Sequence, residues 1–450
     1  MSEGRIRLLG GRVIDPSRGT DEVGDLVIED GRIVGLGAGT GSADGELAID
    51  VAGCVVAPGF VDLHTHLREP GQPDKETIRT GTAAAAAGGF TTVCAMPNTD
   101  PTVDTGSDVL YVLEAARRSA TVRVLPFGTV SKQQRGMELS ELAEMAEIGA
   151  VAFSDDGQPI WNTRLMRHAL EYSRIVERPI VDHCEDRELA KGGAMNEGAV
   201  SARLGLPGQP FAAESIAVAR NLELLRLTGG HLHLAHLSTA RSVDLLRRAR
   251  QDGLRVTAEA TPHHLTLTDA LVAGSPGGSP YDTSTKVNPP LRTTEDVDAI
   301  VAGLAEGVID AVATDHAPHT VVDKSCEYEN AAFGISGLET ALALCLRLVE
   351  QDRITLPTLV ERLTAGPARA FGLPFGGFAS GAPADVVVFD PAIAWVVDPA
   401  QFRSKGKNTP LAGWTLRGRV RLTIAAGGIA YADPQTDAIS IGRTPSAATA

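Results

Sequence analysis

From about residue 58 onward, the chain alternates between short apolar segments and longer amphipathic ones. Eight segments have the composition of buried strands: 61–66, 91–97, 122–130, 150–156, 179–184, 232–237, 256–260 and 310–316. Helical periodicity lies between most of them, over residues 75–87, 107–120, 139–148, 163–177, 213–227, 240–251 and 294–306, and again at 337–350. Strands that alternate with helices form a parallel sheet. Eight such units predict an α/β fold closed into a (β/α)8 barrel rather than an open sheet.

The segments on either side of the barrel look like strands. Residues 1–57 and 373–435 are therefore expected to join into one small β-sandwich domain beside a barrel formed by residues 58–372. Asp30–Gly31 is a hairpin signal, and Gly10–Gly11 is expected to be a turn. The run 274–280, rich in Gly and Pro, predicts a mobile surface loop. The tail 436–450 has the composition of a disordered segment.

Composition limits the classes of partner. The formal net charge is −15 without a Lys/Arg cluster, which argues against binding to nucleic acid through phosphate neutralisation. No apolar run reaches the roughly 20 residues that cross a bilayer, and the N-terminus lacks a signal-peptide profile. Five scattered cysteines without a CxxC pair are typical of a reduced, cytosolic protein. A cytoplasmic location without membrane contact is expected.

Metal-binding side chains stand at the C-terminal ends of five predicted strands. Barrel enzymes carry their active sites at this end. The candidates are His64 and His66 on strand one, Asp155–Asp156 on strand four, His183 on strand five, His236 on strand six and Asp315 on strand eight. These residues are distant in sequence, but the barrel would bring them together.

On strand one, side-chain alternation predicts that the polar residues share a face. Asp62, His64, His66 and Arg68 recur every second residue. Two imidazoles two residues apart can bind one metal ion without a bend in the chain. Asp62 is either a partner of these ligands or a buried structural carboxylate.

Alternation also selects among neighbours on the other strands. On strand four, bulky Phe153 should face the outer helices, which directs Asp156 into the barrel. On strand six, His236 is expected to face inward, whereas His231 and His233 point the other way as structural residues. On strand eight, Asp315 is expected on the inner face.

Four imidazoles and two carboxylates suit Zn²⁺ or a similar divalent ion. Six ligands exceed the needs of one tetrahedral ion with an open position. The set therefore predicts two metal ions per subunit bridged by a carboxylate. Such a pair lowers the pKa of a bridging water and polarises a carbonyl under attack.

Several motifs carry a resemblance to a known family. Pro58 to Gly71, with His64-Thr65-His66, resembles the first signature of the amidohydrolase superfamily, and its form from Asp62 to Pro70 resembles dihydroorotases. Residues 313–319, followed by Lys324, are similar to the second dihydroorotase signature. Residues 96–99, 182–186, 235–239 and 286–292 fit the same family. The resemblance covers essentially the whole chain.

The resemblance implies the reversible closure of N-carbamoyl-L-aspartate to L-dihydroorotate in pyrimidine biosynthesis. It implies that His64 and His66 hold one zinc ion with Asp315, that His183 and His236 hold the second, and that Asp156 bridges them. Many relatives bridge instead with a carboxylated lysine on strand four. Residues 150–157 contain no lysine, so the chain resembles the bacterial type I dihydroorotases, which use aspartate.

The resemblance also assigns the remaining site residues. Asp315 would accept a proton from the attacking water and pass it to the departing nitrogen, the alternative being a ligand role only. A substrate carboxylate needs a cationic clamp, which the resemblance assigns to Arg68, Asn98 and His319 beside His66. Asn288 and the backbone of Phe333–Gly334 would contact the ring amides. Without this context, Asn98 and Asn288 could equally be loop caps.

Two other functions stay open at this stage. Another cyclic amidase, a hydantoinase or allantoinase, would share the metal residues but has no need of the Arg68 clamp. A non-catalytic homologue that partners aspartate transcarbamoylase could lose ligands, whereas all six are present. The expected partners are the small-molecule substrate, further copies of the chain in a homo-oligomer, and aspartate transcarbamoylase.

Overall fold

A computed structural model describes residues 4–36, 46–274 and 278–434, together with the backbone of residues 441–443. The N-terminal part forms five strands, β1 Arg5–Asp15, β2 Thr20–Glu29, β3 Arg32–Leu36, β4 Leu47–Asp50 and β5 Val55–Pro58.

The hairpin predicted at Asp30–Gly31 is confirmed, because β2 and β3 pair antiparallel on either side of it. The turn predicted at Gly10–Gly11 is wrong. β1 continues through both residues, and a register shift against β2 between Leu8 and Gly11 absorbs them as a β-bulge.

The middle of the chain contributes ten strands. They are β6 Phe60–Thr65, β7 Phe90–Ala95, β8 Arg123–Pro126, β9 Phe153–Ser154, β10 Ile180–Asp182, β11 Met195–Asn196, β12 Gly208–Gln209, β13 Leu232–Leu234, β14 Val256–Ala260 and β15 Ala311–Val312. Among the described strands, β11 and β12 pair with each other alone, in the long connection after β10. The other eight correspond to the eight predicted strands and are mostly shorter, because their ends turn into the loops of the site.

These eight strands close into a ring. β6, β7 and β8 pair in parallel, as do β9, β10, β13, β14 and β15. Single parallel bridges, Gly128 with Phe153 and Thr65 with His316, join the two sheets at both seams. The predicted (β/α)8 barrel is confirmed.

Helices surround this ring. They are α1 Ile78–Ala87, α2 Gly106–Ser119, α3 Leu142–Ile148, α4 Thr163–Val176, α5 Arg187–Ala190, α6 Ala199–Leu204, α7 Ala212–Thr228, α8 Ala240–Gln251, α9 Pro262–Thr266, α10 Thr294–Ala305, α11 Val321–Lys324, α12 Ala341–Glu350, α13 Leu356–Leu363 and α14 Ala365–Phe371. One large apolar cluster fills the space between strands and helices, and a second fills the barrel interior. Side-chain caps begin many of the helices, as Thr77 does for α1 and Thr239 for α8.

The C-terminal part adds β16 Val386–Val396, β17 Thr415–Ala425, β18 Gly428–Ala432 and β19 Ile441–Arg443. β16 pairs antiparallel with β5, which unites strands from both termini in one nine-stranded sheet, as expected. Val55, Phe389 and Val420 join the barrel–helix core, so one face of the sheet packs on the barrel. The opposite face has its own core, which includes Val56 and Val388.

Some expectations fall on segments that are described only in part. Within the predicted disordered tail, residues 441–443 pair antiparallel with β4, and the rest of the tail lies outside the described residues. Residues 275–277 of the predicted mobile loop also lie outside them. None of the helices in the described part of the chain is both long enough and apolar enough to span a bilayer.

Candidate metal centre

Two pairs of histidines lie on opposite sides of one carboxylate at the mouth of the barrel. Oδ2 of Asp156 lies 3.4 Å from Nε2 of His64 and 3.5 Å from Nε2 of His66. Its Oδ1 lies 3.4 Å from Nε2 of His236 and 3.8 Å from Nδ1 of His183. Each oxygen of Asp156 therefore serves a different histidine pair, which is the arrangement of a bridging ligand.

Asp315 completes the side of the first pair. Its Oδ1 lies 3.1 Å from Nε2 of His66 and 3.6 Å from Nε2 of His64. The structure thus brings all six predicted ligand residues together, and the four histidines and Asp156 are at most 5% exposed.

The donor atoms fit metal ions better than they fit one another. Nε2 of His64 and Oδ1 of Asp156 are buried and make no hydrogen bond within the described structure. Nδ1 of His183 and Nε2 of His236 face each other at 2.9 Å, so these two nitrogens share either one proton or one cation. Two groups, His64–His66–Asp156 and Asp156–His183–His236, each place their ligand atoms within 4.8 Å of one another. Nitrogen and carboxylate oxygen donors of this kind suit zinc.

Strand ends and local backbone turns place these side chains. The alternation predicted for strand one holds only in part, because Leu63 lies in the barrel interior and the β6–β7 register shifts between Asp62 and Thr65. His236 and Asp315 lie beyond the ends of β13 and β15, where their φ values are +30° and +46°. Their approach to the centre thus depends on loop conformation rather than on strand parity.

The predicted outward direction of His233 is wrong. Its ring contacts Phe371 edge to face in the barrel interior, and its Nε2 lies 3.2 Å from Oε2 of Glu259. Strand alternation carries His233 inward, and His236 reaches the same side only because the strand ends at Leu234. His233 remains a structural residue that makes no approach to Asp156.

Glu259 on β14 is a residue of the site that sequence reasoning missed. Its Oε1 lies 2.7 Å from Nδ1 of His64, so that this nitrogen carries the proton and Nε2 presents its lone pair to the centre. Carboxylates that bind the second nitrogen of a metal-ligating histidine fix its tautomer and orientation. The available signal is one acidic residue in a short strand whose other residues are apolar except for Thr257, which on its own is weak.

The two asparagines predicted as substrate contacts lie against histidines. Oδ1 of Asn98 accepts a hydrogen bond from Nδ1 of His66 at 2.9 Å, which directs Nε2 of His66 to Asp315. Nδ2 of Asn288 lies 2.9 Å from Glu185 and 3.1 Å from Nε2 of His183. The amide oxygen of Asn288 is buried without a hydrogen-bond partner.

Two of the residues predicted to bind a substrate carboxylate, Arg68 and His319, lie next to each other. Nη2 of Arg68 lies 3.4 Å from Nε2 of His319, and both residues are 9% exposed. Burial lowers the pKa of Arg68 to about 10, which leaves the guanidinium charged at neutral pH. Nε2 of His319 donates to the Phe333 carbonyl at 2.8 Å. The Gly334 amide donates to the carbonyl of Lys286 at 2.8 Å, so this loop is held by the protein itself.

Two other carboxylates near the centre have structural partners. Asp62 accepts hydrogen bonds from the backbone of His64 and from the backbone and hydroxyl of Thr314, which ties β6 to the segment that carries Asp315. Asp155 binds the backbone amides of Val130 and Ser131. Of the two readings left open for Asp62, the structure favours the buried structural carboxylate.

The carboxylates and imidazoles of the centre shift one another's pKa values. Burial would raise the pKa of Asp156 and Asp315, but the neighbouring histidines, above all His64, hold both well below the ordinary value. Burial likewise opposes protonation of His64, yet Asp156 and Glu259 raise its pKa well above normal.

Comparison with known proteins agrees with this geometry. The family described as Dihydro-orotase-like matches residues 53–242, and the Amidohydrolase family matches residues 217–431. A dihydroorotase of Syntrophus aciditrophicus (strain SB) is 49% identical over 428 residues, which cover 95% of this chain and 99% of that one. A dihydroorotase of Anaeromyxobacter sp. (strain K) is 51% identical over the same length, with 95% and 98% covered.

Among solved structures, an L-hydantoinase (dihydropyrimidinase) from Arthrobacter aurescens superimposes with a TM-score of 0.84 at 26% identity, over 94% of this chain and 95% of that one. The hydantoinase likeness is therefore more distant in sequence than the dihydroorotase likeness. Because it is 49–51% identical to these relatives over nearly its full length, the chain belongs to the dihydroorotase family of the amidohydrolases.

Proposed function

We propose that the chain catalyses the reversible cyclisation of N-carbamoyl-L-aspartate to L-dihydroorotate with two zinc ions held at the mouth of the barrel. The observation that carries this proposal is the position of Asp156, whose two oxygens each approach a different histidine pair at 3.4–3.8 Å. A single structural ion would not need a carboxylate between two separate sets of donors.

In this proposal six residues hold the metal. His64, His66 and Asp315 would hold one ion, His183 and His236 would hold the second, and Asp156 would serve both. When bound, the ions supply an ionised water near neutral pH and polarise the carbonyl under attack. Glu259 and Asn98 keep His64 and His66 in the tautomer that presents Nε2 to the centre.

Asp315 is proposed to move the proton. Its carboxylate faces both His64 and His66, so it lies where it can exchange a proton with a water bound at the centre. In the hydrolytic direction it takes the proton of the attacking water and then delivers it to the departing ring nitrogen. In the synthetic direction the same proton moves back from the nitrogen.

The remaining residues are proposed to bind the substrate. Arg68 would bind the α-carboxylate through charged hydrogen bonds, and Asn98, His319 and His66 would complete its binding site. The unpaired oxygen of Asn288 is available to a ring N–H, and the backbone of Phe333–Gly334 would contact the second ring amide. A carbonyl has two lone pairs, so the Phe333 oxygen can accept a second hydrogen bond beside that of His319.

The clamp separates this function from that of other cyclic amidases. Hydantoins and allantoin lack the same α-carboxylate, so a site for them has no need of the charged group of Arg68. Purified zinc-loaded protein should therefore turn over L-dihydroorotate and N-carbamoyl-L-aspartate, but not hydantoin or allantoin. R68M should lose this turnover, whereas R117M, at an arginine 71% exposed in its side chain, should keep it. Turnover of hydantoin without turnover of N-carbamoyl-L-aspartate would overturn the proposal.

The same proposal covers the domain boundaries, the oligomeric state and the partner enzyme. Residues 58–372 would form the catalytic domain, and residues 1–57 with 373–435 the small β-domain. The protein would act in the cytoplasm as a homo-oligomer that associates with aspartate transcarbamoylase. Size-exclusion chromatography with light scattering, with and without aspartate transcarbamoylase, tests both associations. An unchanged monomer peak would contradict them.

A further inference from the structure

A segment of the small β-domain reaches the substrate side of the barrel. Residues 402–409, here named the strap, lie between β16 and β17, far in sequence from every predicted site residue. Alternate strap residues, among them Ser404, Gly406 and Asn408, are buried, while Lys405 and Lys407 between them are exposed. The strap thus presents one face to the barrel over its whole length.

One end of the strap is anchored by a buried polar cluster. The Ser404 hydroxyl donates to Oε2 of Glu76, which also accepts from Nε2 of His316 at 3.3 Å. The other ring nitrogen of His316 accepts from the Gly337 amide at 3.2 Å. All three side chains in this cluster are at most 2% exposed. It fixes the strap against the loop that follows β15.

The other end carries Asn408, whose side chain uses its full hydrogen-bonding capacity. Its Oδ1 accepts from the His319 amide at 3.0 Å and from the Ser336 hydroxyl at 2.8 Å. Its Nδ2 donates to the carbonyls of Ala317 and Gly334, both at 3.0 Å. A carboxamide offers two donors and an oxygen with two lone pairs, and here every one is used.

These four bonds connect the two segments that are proposed to contact the substrate. Residues 317–319 carry the His319 clamp, and residues 333–336 carry the Phe333–Gly334 backbone. The two segments also bond directly, through the Ala317 amide and the Ile335 carbonyl at 2.9 Å. The Asn408 side chain, which comes from the other domain and is 6% exposed, adds a buried cross-link that helps to fix the carboxylate clamp relative to the ring-amide contacts. Displacing such groups by about 1 Å can cost on the order of 100-fold in rate, because binding geometry is lost.

Gly406 is a second, independent sign that the strap must approach closely. A Cβ at this position would lie 2.4 Å from Oγ of Ser336 and 2.5–2.8 Å from Pro318. Pro318 directly precedes the clamp residue His319. Only glycine allows the strap backbone to pass this close to the clamp.

We propose that Asn408 is a positioning residue for substrate binding, which makes the strap of the small β-domain part of the substrate site. Asn408 acts through His319 and Gly334 and does not touch the substrate itself. This inference rests on the proposed function, since it assumes that His319 binds the substrate carboxylate.

The test compares N408D and G406A with two matched controls. N408D is nearly isosteric but replaces two donors by an oxygen that faces two carbonyls, and G406A pushes the strap away from Pro318. N162D keeps a good helix N-cap on α4, and G428A places its Cβ in ordinary van der Waals contact. For each, kcat and KM for L-dihydroorotate, zinc content and thermal midpoint are measured.

N408D is expected to raise KM at least ten-fold and to lower kcat less than three-fold, with zinc content unchanged. G406A should shift KM in the same direction, and both controls should stay within two-fold of the wild type. KM within two-fold of the wild type in N408D and G406A would overturn the inference, as would a loss of kcat and zinc at unchanged KM.

A second readout separates this inference from the proposed function. An inactive zinc-loaded wild type would count against the proposed function alone. In that case hydrogen–deuterium exchange still applies, and residues 317–336 should exchange faster in N408D than in the wild type or N162D. Equal exchange in that segment would overturn the positioning role of Asn408 whatever the activity.

Discussion

Glu259 and His64 are joined by a 2.7 Å contact between Oε1 and Nδ1, and the second oxygen of Glu259 lies 3.2 Å from Nε2 of His233. Burial would raise the pKa of Glu259, but the two neighbouring imidazoles lower it to about 2. The ionised carboxylate thereby fixes which nitrogen of His64 faces Asp156. Glu259, which is not itself one of the proposed metal ligands, thus sets the orientation of His64, which is one.

Replacing Glu259 by glutamine should weaken metal binding. The amide keeps the shape but loses the charge that stabilises the His64 proton at Nδ1, and loss of such a partner typically costs about 10–100-fold in affinity. Competition with a zinc chelator measures this change. E223Q, at a glutamate 73% exposed in its side chain, is the control and should bind zinc as the wild type does. Equal zinc affinity in E259Q and E223Q would show that Glu259 does not orient His64.

Replacing Asp315 by asparagine should abolish turnover while the fold persists. The amide cannot accept the proton of the attacking water, and removal of a general base typically lowers kcat by about 10²–10⁴-fold. Steady-state kinetics and a thermal melt follow the two properties. D244N, at an aspartate 55% exposed in its side chain, should leave both unchanged. If D315N retained wild-type turnover, Asp315 would not be the proton carrier.

Lys324 should make stability depend on pH. Its Nζ lies 2.6–3.4 Å from the carbonyl oxygens of Thr283, Lys286 and Ala332, two of which a neutral amine can still bond, and burial lowers its pKa from 10.5 to about 7. Between about pH 7 and pH 10.5 the folded protein holds this lysine neutral, while the unfolded chain keeps it charged. The unfolded state then binds one more proton, so the stability supplied by this group rises with pH across that window.

The measurement for Lys324 compares wild type with K324M. The difference in unfolding free energy, wild type minus variant, should be constant below about pH 7 and should increase in favour of the wild type toward pH 10. A difference that stays flat from pH 6 to pH 10 would contradict the lowered pKa of Lys324.

The sequence predicts the barrel well because its signals are local and repeated. The strand ends at His64, His183 and Asp315 were identified because barrels concentrate such residues at one face. Strand parity failed for His233, since β13 ends at Leu234 and a loop with positive φ carries His236 to the centre. The alternation of side chains holds within a continuous strand. It cannot predict the direction of residues such as His236 and Asp315, which lie just beyond strand ends.

Hydrogen bonds between residues that are far apart in the sequence cannot be predicted from local patterns. Glu259 is 195 residues from His64, and Asn408 is 89 residues from His319. A single polar residue on a strand or in a loop has no local pattern that names its partner. Asn98 was selected by resemblance as a substrate contact, and only the structure reveals its hydrogen bond to His66.

Anomalous diffraction from zinc-loaded crystals tests the central claim, that Asp156 lies between two metal ions, more directly than any kinetic assay. Two zinc peaks are expected about 3.5–4 Å apart, one beside His64, His66 and Asp315 and the other beside His183 and His236, each in contact with one oxygen of Asp156. Zinc peaks that leave Asp156 uncoordinated, or an active crystal form with no metal at these residues, would contradict the account.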